Sequence, residues 1–313
     1  MITLRRVISA KIETTEGTKE TLTGTDSKIL AFNPKFDADI QMNKRNPVRP
    51  YLSPVVDLPG SQLAKLSFRV EMKGAGAAYS ASVKPALGDF LRGCGFAETI
   101  TITVGQEKAT YDPASTGHKS LTIGLYEDGV VKTLSGARGN VKFSGKAGEP
   151  LYADFDFLGV YDPVTDVALP SPTFESTLPP VFLSSTLTIA AYAAIIESIN
   201  IDMANALQLR SDVSKATGYF STLITGREPN GSFDPEMVTI ATHDFFGRWK
   251  AGTTGALVIG DVGATQYNKV KITAPKLQYR KVSDADRGGI AVADTAFLLA
   301  ANIGDDEIQI IFS

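Results

Sequence analysis

The segment Lys65–Met72 reads KLSFRVEM, and it decides the fold class of this chain. Apolar side chains stand at every second position, Leu66, Phe68, Val70 and Met72, with polar or charged residues between them. A period of two puts all the apolar groups on one face of a β-strand. Strands of a parallel sheet are apolar on both faces, so this pattern predicts a half-exposed antiparallel strand.

The same period of two recurs along the chain and predicts a mainly β protein. Four further segments carry it: Thr99–Val104, Asp154–Phe157, Lys269–Ile272 and Glu307–Phe312. The stretch Leu121–Leu134 predicts a hairpin, because Asp128-Gly129 lies between two β-favouring runs and tolerates the positive φ of a tight turn.

Only two short helices are predicted, at Pro85–Gly93 and Thr242–Gly252. In the first, apolar residues recur at helical spacing up to Cys94, which should therefore be buried. In the second, Phe245, Phe246 and Trp249 are expected to form the stripe that faces the core.

Each predicted helix carries an Asp-Phe pair, and the two pairs, Asp89-Phe90 and Asp244-Phe245, lie 155 residues apart. Phe157 and Phe312 share that offset, and strands and loops follow in a similar order in both halves. We therefore expect a tandem duplication with a β-rich module at 1–160, a connector at 161–180 and a second module at 181–313. Five prolines make the connector unsuited to a helix or a central strand.

Composition and charge exclude several classes of protein. Hydrophobic residues form 43% of the 313-residue chain, which is enough for a sizeable core and excludes a disordered chain. The net charge of −3 disfavours a protein that grips DNA through its phosphates. Residues 1–158 hold 20 Lys or Arg and 17 Asp or Glu, whereas the remainder holds 11 and 17. Neither a signal peptide nor a membrane-spanning segment is expected.

Little in the sequence suggests chemistry, so we predict no enzyme, no cofactor and no metal. The chain has one Cys and two His, and neither His118 nor His243 lies near a nucleophile in sequence. We expect His243 to be a capping or surface residue. The run Asp305-Asp306-Glu307 could bind a hard cation, but we interpret it as a solvated turn before the last strand.

Two long loops are the main candidates for function. Gln41–Ala64 carries Lys44, Arg45, Arg49 and four prolines, and Asn205–Gly218 is its counterpart in the second half. Loops of this length usually bind something or are merely mobile. Because the two loops occupy corresponding positions in the two halves, we expect both to contact another molecule.

The sequence resembles the phage tail tube proteins, also called major tail proteins, of long-tailed (siphovirus-type) bacteriophages. The resemblance spans nearly the whole chain and is carried by several segments together: Gly139–Phe143, Gly148-Glu149-Pro150, Ile201–Asn205, Ile224–Arg227, Asp234-Pro235-Glu236, Pro275–Tyr279 and Gly304–Ile308. It implies two tandem modules, each an antiparallel β-sandwich or barrel with a short flanking α-helix, and rings that stack into a hollow tube.

The resemblance also implies partners and a place. Three two-domain chains would form a pseudo-sixfold ring, and the tube would conduct DNA without holding it. Expected partners are further copies of the chain, a tape measure protein in the lumen, tail terminator and distal tail proteins, and DNA in passage, with no membrane. The protein would lie in the virion tail, after assembly in the host cytoplasm. On this interpretation the ring-stacking contacts are Lys44, Arg45, Arg49, Arg210 and Lys215. The alternative is a carbohydrate-binding or capsid-decorating β-sandwich.

Overall fold

Antiparallel strands dominate the computed structural model, which describes residues 4–313. Strands hold 51% of the residues and helices 5%, which confirms the mainly β prediction. The first half contains β1 (Arg6–Ile12), β2 (Ala31–Asn43), β3 (Leu58–Glu71), α1 (Gly88–Gly93), β4 (Phe96–Thr101), β5 (Lys108–Pro113), β6 (Leu121–Glu127), β7 (Val130–Lys146) and β8 (Tyr152–Asp166).

The second half adds ten strands and one helix. They are β9 (Leu187–Ile189), β10 (Tyr192–Ala193), β11 (Ser198–Asp202), β12 (Ala206–Ser211), β13 (Tyr219–Gly226), β14 (Asn230–Phe233), α2 (Phe245–Ala251), β15 (Thr254–Val262), β16 (Val270–Arg287), β17 (Ile290–Ala300) and β18 (Gln309–Phe312).

Both halves contribute to one sheet. Eight of its strands lie side by side in the order β2-β3-β8-β7-β11-β14-β17-β16, and every neighbouring pair is antiparallel. We call these eight strands the long sheet. The halves meet inside it where β7 pairs with β11, and they meet again where β18 pairs with β5. Phe157 lies in β8 within the long sheet, whereas Phe312 lies in β18, between β16 and β5.

The alternation that opens the sequence analysis builds the core as predicted. Leu66, Phe68 and Val70 of β3 are buried, and the Phe68 ring stacks on Phe155 and Phe157 of β8 at centroid distances of 5.4 and 6.0 Å. Phe90 of α1 closes this cluster edge-on at 5.1 Å. Aromatic pairs of this kind add roughly 0.5–1.5 kcal/mol each beyond the area they bury.

The structure confirms the predicted hairpin but ends one predicted strand earlier than expected. The hairpin is confirmed, with Asp128 and Gly129 at φ values of 34° and 108° between β6 and β7. The predicted strand Thr99–Val104 is wrong at its end, because the chain turns after Thr101 and Gln106 donates its N–H to Thr103. Ile102 and Val104 are 68% and 90% exposed.

Both helices form, and Cys94 after the first is buried as predicted. Asp244 caps α2 by accepting the N–H of Gly247 at 2.7 Å, and Gly252 ends the helix at a φ of 64°. The predicted stripe is wrong, since only Phe245 is buried, while Phe246 and Trp249 are 43% and 39% exposed. A helix of seven residues, about two turns, buries only one of its aromatic side chains.

The segment predicted as a connector begins as a strand. β8 continues to Asp166 and includes Pro163, which is tolerated because β8 here lies at the margin of the sheet and pairs only with β7. Beyond it the chain runs along the first half, where Thr173 and Glu175 donate their N–H groups to Ser27 and Lys28. The division at 161–180 stays a prediction.

No helix in residues 4–313 is long and apolar enough to cross a membrane.

Candidate assembly surfaces

The hairpin of β2 and β3 projects an exposed arm, which we define as residues 39–63. The strands pair as far as Asn43 and Leu58, and residues 44–57 form the loop at the end. The arm exposes a row of large apolar side chains: Ile40, Met42, Val48, Tyr51, Leu52, Val56 and Leu58. Seven exposed large apolar side chains within one hairpin indicate a contact with another molecule.

Three of the five predicted contact residues lie in the loop of this arm. Lys44 and Arg45 are exposed. Arg49 donates to the carbonyl of Ser53 at 2.6 Å and lies over the Tyr51 ring at 5.0 Å, so the loop has some order of its own.

The other predicted loop, Asn205–Gly218, contains a strand and a turn. Residues 206–211 form β12, which pairs with β13 in a separate two-stranded sheet. The turn between them is organised by Asp212, whose carboxylate accepts the N–H of Ser214 at 2.9 Å and its hydroxyl at 2.7 Å. Sequence reasoning missed this hairpin because β12 is short and mostly exposed, and the alternation of Leu207 and Leu209 with polar residues covers only a few positions.

The β12–β13 hairpin docks on the first half of the same chain. Thr222 donates its hydroxyl to the carbonyl of Leu158 at 2.8 Å, and the carbonyl of Thr217 accepts the N–H of Gln62 at 2.9 Å. A Cβ on Gly136 would lie 2.9 Å from the Cα of Ser221. Glycine at 136 therefore permits the close approach of the two backbones.

A buried arginine holds the same contact. Arg138 is 4% exposed and donates to Glu16 at 3.0 Å, to the carbonyl of His118 at 3.1 Å and to the carbonyl of Thr222. Ser221 donates to Glu16 at 2.6 Å. The hydrogen bond from Arg138 lowers the pKa of the Glu16 carboxyl, and burial opposes it only in part.

Arg210 and Lys215, the remaining predicted contact residues, lie on this hairpin and have partners within the chain. The guanidinium of Arg210 is 3.4 Å from Glu16 and 4.8 Å from the centre of the Phe220 ring. The ammonium of Lys215 lies 5.2 Å from the same ring. The structure thus places the five residues on two separate hairpins.

Ion pairs bridge the junction of β7 and β11. Lys142 is 3.2 Å and the amide of Asn140 2.7 Å from Asp202, while Lys146 is 3.5 Å from Glu197 just before β11. A basic strand here meets an acidic one, and the pairs fix the register of the two strands.

The face of the long sheet that points away from the core is polar, and some of its charges are paired. Arg69 binds Asp154 through two hydrogen bonds of 2.7 and 2.9 Å across β3 and β8. This pairing raises the pKa of Arg69. Lysines, aspartates, asparagines and serines continue the face towards β11 and β14: Lys65, Asp156, Lys142, Asn200 and Ser232.

The carboxylates of Asp305, Asp306 and Glu307 accept hydrogen bonds from other residues of the same chain. Arg227 binds Asp305 and Glu307, the latter at 2.5 Å, and Ser115 donates to Asp305 at 2.5 Å. Asp306 accepts the N–H of Asn302 at 2.8 Å. Within residues 4–313 no group of three metal-ligating side chains could hold an ion.

The two histidines lie apart. His243 is buried, which corrects the expectation of a capping or surface residue: Asp244 is the cap, and His243 packs on Tyr192 and bonds the Tyr279 hydroxyl at 2.9 Å. Burial lowers its pKa. The Nε2 atom of His118 is 2.7 Å from the carbonyl of Ala114.

Comparison with known protein families gives one decisive match. The model of a family described as phage tail tube protein matches residues 3–298. The chain belongs to this family. No curated protein matches the chain.

Membership of the phage tail tube family indicates what the exposed surfaces of this protein are for. A tail tube protein is a structural component that assembles with copies of itself into the tube of the phage tail. The exposed arm and the open strand edges are therefore the parts to examine for contacts between copies, in preference to any cavity.

Proposed function

We propose that this protein polymerises as stacked rings into the hollow tail tube of a siphovirus-type phage, and that the tube is the conduit for DNA ejection. The long sheet is the observation that supports the proposal, because it joins eight strands of both halves in one layer, and the face of that layer that points away from the core is polar. Assembly in the host cytoplasm, a tape measure protein in the lumen, and terminator and distal tail proteins at the ends complete this proposal.

The number of strands favours three chains in a ring. Eight strands alone would enclose an interior that side chains just fill, whereas 24 strands spaced about 4.8 Å apart and tilted by about 40° form a barrel roughly 48 Å across the backbone. A ring of three chains then has a channel wide enough for duplex DNA and pseudo-sixfold symmetry. On the face that would line the channel, the basic residues Arg69 and Lys142 are paired with Asp154 and Asp202, which would weaken their hold on DNA phosphates.

The arm suits the contact between successive rings. Its loop combines exposed apolar side chains with Lys44, Arg45 and Arg49, and the net charge of the second half is negative. Arg210 and Lys215 are proposed as secondary contacts, because both remain partly exposed beside Phe220.

Electron microscopy of the purified protein tests the proposal. We expect striated hollow tubes in negative stain and rings of three chains in cryo-EM reconstructions. Discrete soluble particles without tubes would contradict the tube, and rings of six whole chains would contradict the trimer.

Replacing the arm tests its role. A chain whose residues 44–57 are replaced by a short Gly-Ser turn should fold but fail to form long tubes. The matched control replaces two exposed apolar residues elsewhere, Ile102→Ser and Val104→Ser, and should form tubes of normal length. Normal tubes from the arm variant would exclude the arm as the stacking contact.

A further inference from the structure

A strap of irregular backbone lies between the two halves. We define the strap as residues 171–182, and residues 167–180 contain neither a helix nor a strand. In its first part, Glu175 donates its N–H to the carbonyl of Lys28 at 3.1 Å. At its end, Phe182 is buried and donates its N–H to the turn between β7 and β8 at 2.8 Å. The strap is therefore held at separate points and not by a continuous ladder of hydrogen bonds.

The middle of the strap meets both halves at one asparagine. Asn268 lies in the loop between β15 and β16, is 9% exposed, and donates its side-chain amide to the carbonyl of Leu178 in the strap at 2.8 Å. Its side-chain oxygen accepts the N–H of Gly74, just after β3, at 2.9 Å. A Cβ on Gly74 would lie 2.0 Å from the carbonyl oxygen of Tyr267, so the two backbones approach closely here. One amide thus ties the strap to the first half and to the second.

A buried lysine lies under the same part of the strap. Lys73 is 7% exposed, and its ammonium donates to the carbonyls of Glu175 and Thr177 at 2.8 and 2.7 Å. Burial lowers the pKa of Lys73, because the closed strap keeps water from its charge. Hydrogen bonds offset the cost of burying an ammonium only in part, and water would hydrate this group again if the strap lifted. The closed strap is therefore weakly held at Lys73.

Along part of its length the strap borders a cleft instead of a core. The cleft has a volume of about 710 Å³ and lies between Phe174 and Ser176 of the strap and Ser82, Lys84 and Glu98 of the first half. Segments that bury little apolar surface and make few hydrogen bonds open locally at the lowest free energy. The strap meets this description, whereas the strands around it are paired along their length.

We propose that the strap is a reversible latch, which opens locally while both halves stay folded and must be closed on Asn268 before the chain adds to a tube. Closure locks the loop between β15 and β16 against the end of β3, at a place separate from the β7–β11 and β5–β18 pairings. A closed ring requires that every chain hold its two halves in the same orientation. The requirement for assembly rests on the proposed function, whereas the opening of the strap does not.

A reversible disulfide tests whether the strap opens. A Cβ on Gly76 would lie 3.4 Å from the Cβ of Thr177, close to the spacing in a disulfide, so Gly76→Cys with Thr177→Cys should lock the strap when oxidised. Native Cys94 is buried. Glu-C protease cleaves after Glu175, and cleavage within a segment that opens rapidly follows the population of its open form. Oxidation should lower the rate of cleavage after Glu175 about tenfold relative to the same chain in reduced form.

The two redox forms of this variant also test assembly. The oxidised chain should form tubes at the same protein concentration as the wild type, because its latch is closed. Equal cleavage rates in the oxidised and reduced forms, with the disulfide verified by mass spectrometry, would contradict the opening of the strap. Tubes that form only after reduction would show that assembly needs an open strap, and would overturn the latch.

Asn268→Asp tests the latch without new cysteines. Aspartate has nearly the same shape and still accepts the N–H of Gly74, but its carboxylate cannot donate to the carbonyl of Leu178. The loss of this hydrogen bond should raise the rate of cleavage after Glu175 about tenfold. It should also raise the protein concentration needed for tubes, because fewer chains are closed at any moment.

The matched control is Gln208→Glu. It makes the same change of amide to carboxylate in an exposed side chain of β12, which donates to the carbonyl of Leu209 away from the strap. Its rate of cleavage after Glu175 should equal that of the wild type, and equal rates in Asn268→Asp and the control overturn the latch. Faster cleavage of Asn268→Asp with tubes at the wild-type concentration would refute the requirement for closure. The absence of tubes from the wild-type protein contradicts the proposed function but not the opening of the strap.

Discussion

At the scale of the residue, Arg138 joins the two halves of the sequence. It reaches Glu16 in the first half and the carbonyl of Thr222 in the second, and it is almost fully buried. Neither its burial nor its partners can be predicted from the sequence. Arg138 is 122 residues from Glu16 and 84 from Thr222, and no local pattern connects them.

Arg138→Met should therefore destabilise the protein although it conserves volume and removes a charge. Two carbonyls and a carboxylate lose their donor, which costs about 3 kcal/mol of unfolding free energy. Urea unfolding measures the loss. Arg5→Met removes an exposed ion pair with Asp128 and should cost less than about 1 kcal/mol. Equal losses in both variants would refute the role of Arg138.

Glu16 makes the same contact dependent on pH. Its pKa lies below the ordinary value of 4.5 in the folded protein because Arg138 donates to it. The stability from this carboxylate is thus present above pH 4.5 and is lost as the pH falls through the lowered pKa. Wild type should exceed Glu16→Gln in unfolding free energy at pH 7, and the difference should shrink below pH 4.5. A constant difference across that range would contradict the assignment.

At the scale of the element, the β2–β3 hairpin and the β12–β13 hairpin occupy similar positions in their halves but pack differently. The arm of β2 and β3 projects, whereas β12 and β13 fold back on the first half through a close approach at Gly136. The alternation in KLSFRVEM predicts β3 correctly, because one buried face imposes a period of two. In β12 only Leu207 and Leu209 follow this period, and both are only half-buried, so the pattern is too short to predict a strand.

Gly136→Ala should loosen the docked hairpin. The new Cβ would lie 2.9 Å from the Cα of Ser221, in addition to the strain of alanine at a φ of 56°. Gly105→Ala introduces the backbone strain without a clash, because Gly105 has a φ of 80° and a Cβ added there would have no atom within 4 Å. We expect a loss of about 1–2 kcal/mol for Gly105→Ala and a further 1–3 kcal/mol for Gly136→Ala. Hydrogen exchange of β12 and β13 should rise only in Gly136→Ala, and unchanged exchange there would contradict the docking.

At the scale of the whole molecule, the halves share one sheet. β11 pairs with β7, and β18 completes an edge of β5. Two predicted modules therefore need not be two independently stable units.

Calorimetry should show a single unfolding transition for the assembly-incompetent arm variant, with calorimetric and van't Hoff enthalpies equal. Residues 181–313 expressed alone should stay unfolded, because β11 loses its partner β7 and β18 loses its partner β5. Two separate transitions, or a folded second half on its own, would show that the joint contributes little.

The sequence by itself determined the mainly β class, the hairpin at Asp128-Gly129, both short helices and the resemblance to tail tube proteins. These depend on local period, turn chemistry and composition, which act over a few residues. Only the tertiary structure decided that β7 pairs with β11, that Arg138 is buried, and that Tyr279–Arg287 of β16 pairs with β17 alone. Such contacts join residues far apart in the chain, and which strands become neighbours depends on the packing of the whole core.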